Sequence, residues 1–264
     1  MNAVDQIIKK HRKAENDLRL RIAKFIEDQS ADNVHGIRTS ARRMEAIFDL
    51  LPKSMRRKGK SKKYLRVLRK FFRSTAEIRD LDVVRQNLES YSSSPGAAKA
   101  IQVVMRERRN LLSGSLQLGR TLRKAKSPRI RKKGLSAKKL LNRRDKILGN
   151  LKTKLQEELP IVLADYRKIR ELHDMRKECK KLRYTLELLP TKEDSELAAS
   201  MRNWQAVLGT IRDIDVTEQF AEKKGLLKEL EEVLTSLRIS RSRMLESFGK
   251  SAKHELYTVP TDRS

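Results

Sequence analysis

Apolar residues recur every three or four positions along almost the whole chain, which is the spacing of amphipathic helices. Glycine and proline, the residues that most often interrupt helices, number only 10 and 6 in 264 residues. No segment has the pattern of a convincing strand. The chain is therefore predicted to be all-α, with helices over about residues 5–28, 33–51, 62–90, 95–123, 136–159, 161–189, 194–221 and 226–247.

Capping residues and prolines place the ends of several helices. Asn33 is a favourable N-cap for the second helix, and Pro52 interrupts the hydrogen-bond ladder at its other end. Ser94 followed by Pro95 is a cap with proline at the first helical position, which starts the fourth helix. Pro160 predicts a kink or break between the fifth and sixth helices.

Two pairs of matching segments indicate an internal duplication. Residues 34–52, VHGIRTSARRMEAIFDLLP, align without gaps with residues 172–190, LHDMRKECKKLRYTLELLP, and IRDLDV at 78–83 matches IRDIDV at 211–216. Residues 124–134, KAKSPRIRKKG, have the composition of an exposed connection. We predict a first helical repeat over residues 1–125, a basic linker over 124–134, a second repeat over 135–250 and a frayed tail over 251–264.

The first pair of matching segments carries cations on one face of a helix. At about 100° per residue, a histidine, an arginine three positions later and a cation seven positions later share one sector beside the apolar residues. The first copy holds His35, Arg38, Arg42 and Arg43. The second copy holds a longer stripe, made of His173, Arg176, Lys177, Lys180, Lys181 and Arg183. The second copy is therefore predicted to be the stronger half of an unequal site.

The third predicted helix carries a further stripe, made of Lys62, Arg66, Arg69 and Arg73. At the aligned positions of the seventh predicted helix, Arg202 is the one cation that remains. We therefore expect the weaker first copy to take its missing charge from the third helix.

The stripes are largely of one sign, whereas solvated helix faces normally mix both signs in pairs one turn apart. The whole chain has 62 Lys and Arg against 34 Asp and Glu, a formal net charge of +28. Because like charges repel unless an anion binds, a long polyanion is the expected partner. The alternative is that the stripes are solvated faces, and that each histidine caps or orients its helix.

The aspartates of RDLD and RDID, which are Asp80, Asp82, Asp213 and Asp215, resemble metal-binding pairs. Residues two apart on a helix point about 200° apart, so neither pair can share one ion. We interpret them as ion-pair partners that orient arginines of a neighbouring helix. The sequence thus predicts no metal site, no cofactor and no catalytic residue.

The cysteine content and the hydropathy of the chain indicate the environment of the protein. The single cysteine, Cys179, cannot form a disulfide within the chain and is expected in the core, as is Trp204. No run approaches about eighteen apolar residues, and the N-terminus lacks a signal peptide's apolar segment. These features predict a soluble, cytoplasmic protein that does not enter a membrane.

The repeated motifs resemble the CHAD domain, a family of α-helical domains with a conserved histidine. The resemblance is carried by H-x-x-R-x-x-x-R-R from His35, H-x-x-R-x-x-x-K-K-x-R from His173, and the RDLD and RDID segments. It implies one domain over residues 1–264, with two four-helix-bundle repeats related by pseudo-twofold symmetry around a basic central channel that binds inorganic polyphosphate. It also implies association with polyphosphate granules. Glu45 departs from the family's usual cation, and the ExExK motif found in some relatives does not occur.

The sequence and this resemblance together predict a non-enzymatic, polyphosphate-binding protein, in which Arg and Lys supply charge and directional donors. One alternative is a nucleic-acid-binding protein, because a phosphodiester backbone exploits the same cations, although aromatic residues make up only 5% of the chain. A second alternative is a phosphatase acting on polyphosphate or nucleotides. That reaction would usually need clustered carboxylates for a metal, or a P-loop, and neither is visible.

Overall fold

The computed structural model describes residues 2–57 and 59–258, and all regular secondary structure in these ranges is α-helical. The helices are Ala3–Glu27 (α1), Ala31–Leu50 (α2), Lys53–Arg56 (α3), Gly59–Glu89 (α4), Pro95–Lys124 (α5), Ala137–Ala164 (α6), Ile169–Leu188 (α7), Asp194–Lys223 (α8) and Glu231–Thr258 (α9). The predicted all-α class is confirmed. The short helix α3, which occupies part of the basic loop after Pro52, was not predicted.

The predicted break at Pro160 is wrong, because α6 continues through this proline to Ala164. On either side of it Leu159 and Val162 are 3% and 0% exposed, so burial of the apolar face offsets the hydrogen bond that proline removes. The chain leaves the helix at Asp165 instead. There the Asp165 carboxylate accepts a hydrogen bond from the backbone N–H of Arg167 at 3.0 Å, which gives the backbone a turn in place of the helical ladder.

Three other predicted ends also move. The helix α2 begins at Ala31, so Asn33 lies in its first turn, where Nδ2 donates to the backbone oxygen and Oδ2 of Asp28. The last helix begins at Glu231, because Gly225, with φ of +66°, ends α8 and turns follow. It also extends to Thr258, past the predicted end, because Phe248 and Ala252 continue its buried face. Residues 259–264 of the predicted tail lie outside the described residues.

The prediction at Ser94 and Pro95 is confirmed, since α5 begins at Pro95. Cys179 and Trp204 are buried as expected, at 0% and 3% exposure. The Trp204 ring packs edge-on against Phe248, with ring centroids 5.3 Å apart.

The helices form two compact units. Unit 1 comprises Met1–Arg85 and Gln102–Asp145, and unit 2 comprises Gln86–Ile101 and Lys146–Ser264. The core of unit 1 includes Phe25 and Phe71, whose rings pack edge to face at 5.5 Å. Each unit combines two separate stretches of the chain, whereas the predicted sequence repeats are continuous. The boundaries of these repeats stay a prediction.

Residues 86–101, which comprise the end of α4, the turn after it and the start of α5, pack within unit 2. Asn87 Nδ2 donates to the backbone oxygen of Asp213 at 3.0 Å and to Thr217 Oγ1 at 2.9 Å. A side chain at Gly96 would not fit, because its Cβ would lie 1.9 Å from the backbone oxygen of Glu229. This close approach explains why the second position of α5 is glycine.

Unit 1 buries an ionisable residue whose titration should limit its acid stability. His11 is 2% exposed and packs edge-on against Phe48, with ring centroids 5.8 Å apart. Burial, together with the charge of Arg12, lowers the pKa of His11 from 6.5 to about 4. The folded protein therefore holds a neutral imidazole over a range in which the unfolded chain would be protonated.

We predict that this stabilisation is complete above pH 6.5 and is lost as the pH falls towards about 4. The loss should reach about 3 kcal/mol, because one pKa unit corresponds to about 1.4 kcal/mol. Urea denaturation across this range should show a shallower pH dependence for His11→Gln than for the wild type. Equal pH dependence in the two proteins would contradict the prediction.

Candidate functional site

In unit 1 the predicted cations of α2 pack onto one aromatic ring of α4. Arg38 Nη1 donates to the backbone oxygen of Phe72 at 2.7 Å and to Thr75 Oγ1 at 3.0 Å. The guanidinium carbons of Arg38 and Arg42 lie 4.2 and 5.1 Å from the centroid of the Phe72 ring. Both distances are in the range of a cation–π interaction, so Phe72 holds two guanidinium groups close together.

The α4 stripe lies exposed beside these arginines. Lys62, Arg66 and Arg73 are exposed, and none of them forms an ion pair within residues 2–57 and 59–258. The fourth member, Arg69, pairs with Glu45 through Nε and Oε1 at 2.9 Å. The stripe spans about three helical turns, or about 16 Å of rise. His35 and Arg43 of α2 are also exposed.

The α7 stripe of unit 2 has more acidic neighbours. Lys177 pairs with Asp174 at 2.7 Å, and Arg183 Nη1 pairs with Glu187 at 2.9 Å. Arg183 Nε also donates to Gln205 Oε1 of α8 at 2.9 Å. The remaining cations of this face differ in exposure, since Lys181 and Arg202 are exposed while Arg176 and Lys180 are half-buried.

These pairs change the expected balance between the two halves. The sequence favoured the α7 stripe because it contains more cations, but Lys177 and Arg183 are partly neutralised by neighbouring carboxylates. Among the four described stripe residues of α4, Arg69 alone is paired with a carboxylate. The geometry therefore makes unit 1 the more open cationic face.

Each unit contains a buried pair between the second aspartate of an RDLD or RDID segment and an arginine. Asp82 accepts from Arg108 Nε at 2.6 Å, and Arg108 Nη2 also donates to the backbone oxygen of Gln29. The Asp82 and Arg108 side chains are 2% and 15% exposed. The hydrogen bonds join α4, α5 and the end of α1, so this pair fixes the packing of unit 1.

In unit 2 the corresponding pair is Asp215 with Arg241. Arg241 Nε donates to Asp215 Oδ1 at 2.6 Å, and Arg241 Nη2 donates to the backbone oxygen of Tyr166 at 3.3 Å. The predicted aspartate–arginine pairing is therefore observed for Asp82 and Asp215. The paired arginines, Arg108 and Arg241, however, belong to α5 and α9 and not to the predicted stripes. Asp80 and Asp213 are half-buried.

The two matching histidines have different surroundings. His173 Nε2 donates to Asp215 Oδ2 at 3.0 Å, and the two side chains are 17% and 1% exposed. In unit 1, Asp82 Oδ2 has no hydrogen-bond partner among the described residues, and His35 is exposed. Burial, only partly offset by Arg108, raises the pKa of Asp82. His173 is thus held in place by a buried carboxylate.

Sequence reasoning missed the side chains that orient the arginines. Phe72 belongs to no motif, yet its half-buried ring packs against Arg38 and Arg42. Gln205 and Thr75 carry no motif. One feature of the sequence indicated that Phe72 could contact arginines, namely its position next to Arg73, where the apolar and cationic sectors of α4 meet.

Two features of the described residues bear on the type of site. No group of three or more His, Cys, Asp or Glu side chains has the geometry of a metal site in residues 2–57 and 59–258. Among the same residues, no helix is long and apolar enough to cross a membrane.

Comparisons with known proteins agree with the fold. The family model described as "CHAD domain" matches residues 7–222 of the chain. The crystal structure of the CHAD domain from the plant Ricinus communis is similar with a TM-score of 0.64 at 14% identity, covering 98% of this chain and 93% of that one. No curated protein matches the sequence significantly.

The buried pair of unit 2 gives a test of what holds the α7 face in place. Asp215→Asn is expected to lower the free energy of unfolding by about 3 kcal/mol, because it leaves the Arg241 guanidinium buried without its counter-charge. Asp174→Asn is the matched control, since it removes a carboxylate that is 40% exposed and paired with Lys177. Its cost should stay below about 1 kcal/mol. Equal losses in urea denaturation would contradict this assignment.

Proposed function

Because the chain belongs to the CHAD domain family, we propose that it binds inorganic polyphosphate, without catalysing a reaction, through the basic faces of α2, α4 and α7. The observation that supports this most strongly is the exposed row of Lys62, Arg66 and Arg73 on α4, beside the two arginines that Phe72 holds. A row of cations one turn apart fits a ligand that repeats the same charged group along its length.

The two kinds of cation on this face would act differently. Arg38 and Arg42 are held by packing on Phe72, so less side-chain freedom is lost when their remaining donors bind phosphate oxygens. Lys62, Arg66 and Arg73 are exposed, so they add charge, and the two arginines add further hydrogen-bond donors. Affinity on this face therefore comes from a few fixed donors together with several general electrostatic contacts.

The unit 2 face is part of the same proposal. Arg176, Lys180, Lys181 and Arg202 would contact phosphates, while Lys177 and Arg183 contribute less charge because carboxylates lie beside them. Asp215 orients the His173 ring by accepting from Nε2, so we assign His173 a positioning role. The pseudo-twofold repeats, the central channel and the association with polyphosphate granules stay predictions of the family resemblance.

A nucleic-acid-binding function is the main alternative, and the packing of Phe72 bears on it. Proteins that bind single strands commonly stack bases on open aromatic rings. In unit 1 the ring beside the cationic row is half-buried and already packs against Arg38 and Arg42, which would compete with a base for it. Release of phosphate from polyphosphate with added Mg²⁺ or Mn²⁺ would contradict the non-enzymatic part of the proposal.

The α4 row can be tested by neutralising two exposed cations. Arg66→Ala with Arg73→Ala is expected to weaken binding of long-chain polyphosphate by about tenfold at low salt, because two phosphate contacts are lost. The matched control is Arg120→Ala with Arg123→Ala on α5, which removes the same charge from exposed positions outside the proposed faces. Isothermal titration calorimetry should show little change for this α5 control.

The outcome that contradicts the site is an equal loss of affinity in both double variants, because binding would then depend on net charge alone. Competition with RNA tests whether the protein prefers polyphosphate to nucleic acid. At equal phosphate concentration RNA should displace little polyphosphate from the wild type, and efficient displacement would favour the nucleic-acid alternative.

A further inference from the structure

A cavity of about 710 Å³ lies in unit 1, between α1 and the connection that follows α5. One wall is formed by α1, including His11, Arg12, Glu15 and Arg19, and the other by residues 126–131. None of the lining residues belongs to the basic faces of α2, α4 and α7. The cavity is therefore separate from the proposed polyphosphate face.

The charges that line this cavity are strongly unbalanced. Five cations line it, namely Arg12, Arg19, Lys126, Arg129 and Arg131, against one carboxylate, Glu15. Glu15 is already paired with Arg19 at 3.4 Å. The other four cations are exposed and form no ion pair within residues 2–57 and 59–258. Cations that converge in this way repel one another unless an anion lies between them.

Contacts on either side of Arg129 and Arg131 hold the connection against α1. Ser127 Oγ lies 3.4 Å from His11 Nε2 of α1. Lys132 Nζ pairs with Asp5 Oδ1 of α1 at 2.7 Å. Arg129 and Arg131 lie between these two attachments, so their backbone is held in place before any ligand binds.

The surroundings also restrict the chemistry of a ligand. No Phe, Tyr or Trp lines the described cavity, and the His11 ring at its wall is only 2% exposed, so a nucleobase would find little ring surface on which to stack. Arginine guanidinium groups match phosphate oxygens in geometry and charge. The volume exceeds what a single phosphate needs and leaves room for several linked phosphate groups with water.

From this arrangement we infer that the cavity between α1 and residues 126–131 is a second anion site that binds a short condensed phosphate. Arg12 and Arg19 contact the anion from α1, and Lys126, Arg129 and Arg131 contact it from the connection. The ligand is either a free short chain or the end of a longer one, because both present the same phosphate groups. The inference does not depend on the proposed function of the α2, α4 and α7 faces.

Calorimetry with tripolyphosphate tests this site. Arg12→Ala with Arg129→Ala should raise the Kd for tripolyphosphate at least about tenfold, since one donor is lost from each wall. The α5 control and the Arg66→Ala, Arg73→Ala variant should each change it less than about threefold. If the cavity variant binds tripolyphosphate as tightly as the α5 control does, the inference is overturned. Loss of tripolyphosphate binding in the α4 variant alone would overturn it too.

A second measurement uses the wild-type protein and so does not depend on how a variant folds. Saturating tripolyphosphate should protect Lys126, which lines the cavity, from acetylation by an amine-reactive ester. Lys133, which is exposed and lies outside the cavity, should react as before. Mass spectrometry of the labelled peptides reports both lysines in one sample. Equal labelling of Lys126 with and without ligand would overturn the inference.

Two further ligands identify the source and class of the anion. If the cavity variant loses affinity for long-chain polyphosphate as well as for tripolyphosphate, the site takes a chain end. If it loses affinity for tripolyphosphate alone, the site takes a free short chain, and either result supports the anion site. A nucleoside triphosphate that binds much more tightly than tripolyphosphate would contradict the assignment of a condensed phosphate without a base.

Discussion

Repulsion between cations is the constraint on which the rest of this structure depends. With 62 Lys and Arg and 34 Asp and Glu, the chain cannot pair every cation, so the placement of its acids decides where positive charge stays open. Two acids, Asp82 and Asp215, form buried pairs that join helices within each unit. Others, such as Glu45, Asp174 and Glu187, pair with single cations of the stripes. Acids are scarce beside the row on α4 and around the cavity beside α1.

The basic face of unit 1 also depends on packing that is not electrostatic. Arg38 and Arg42 approach each other because both cover the ring of Phe72, and Arg38 is fixed further by Phe72 O and Thr75 Oγ1. This contact places two guanidinium groups together in the absence of ligand, which reduces the entropy that binding must overcome. His173 is fixed in a different way, through Asp215, which also pairs with Arg241.

Local patterns predicted much of this arrangement, and longer-range contacts explain the rest. Helical periodicity placed the cations of α2, α4 and α7 on common faces, and the RDLD and RDID motifs indicated the aspartate–arginine pairs. The passage of α6 through Pro160 was not predictable locally, because it depends on the burial of Leu159 and Val162. The cavity beside α1 was missed for a similar reason. The path of residues 126–131 is set by Ser127 and Lys132, whose partners lie far away in the sequence.

If exposed cations of the α4 row bind polyphosphate directly, the affinity must depend on salt. Each cation that contacts a phosphate releases a counterion, so the affinity for long-chain polyphosphate should fall steeply as salt rises. In the Arg66→Ala, Arg73→Ala variant the slope of log affinity against log salt should be shallower by about one to two units. An affinity that is insensitive to salt, or a variant whose slope equals that of the wild type, would contradict the account.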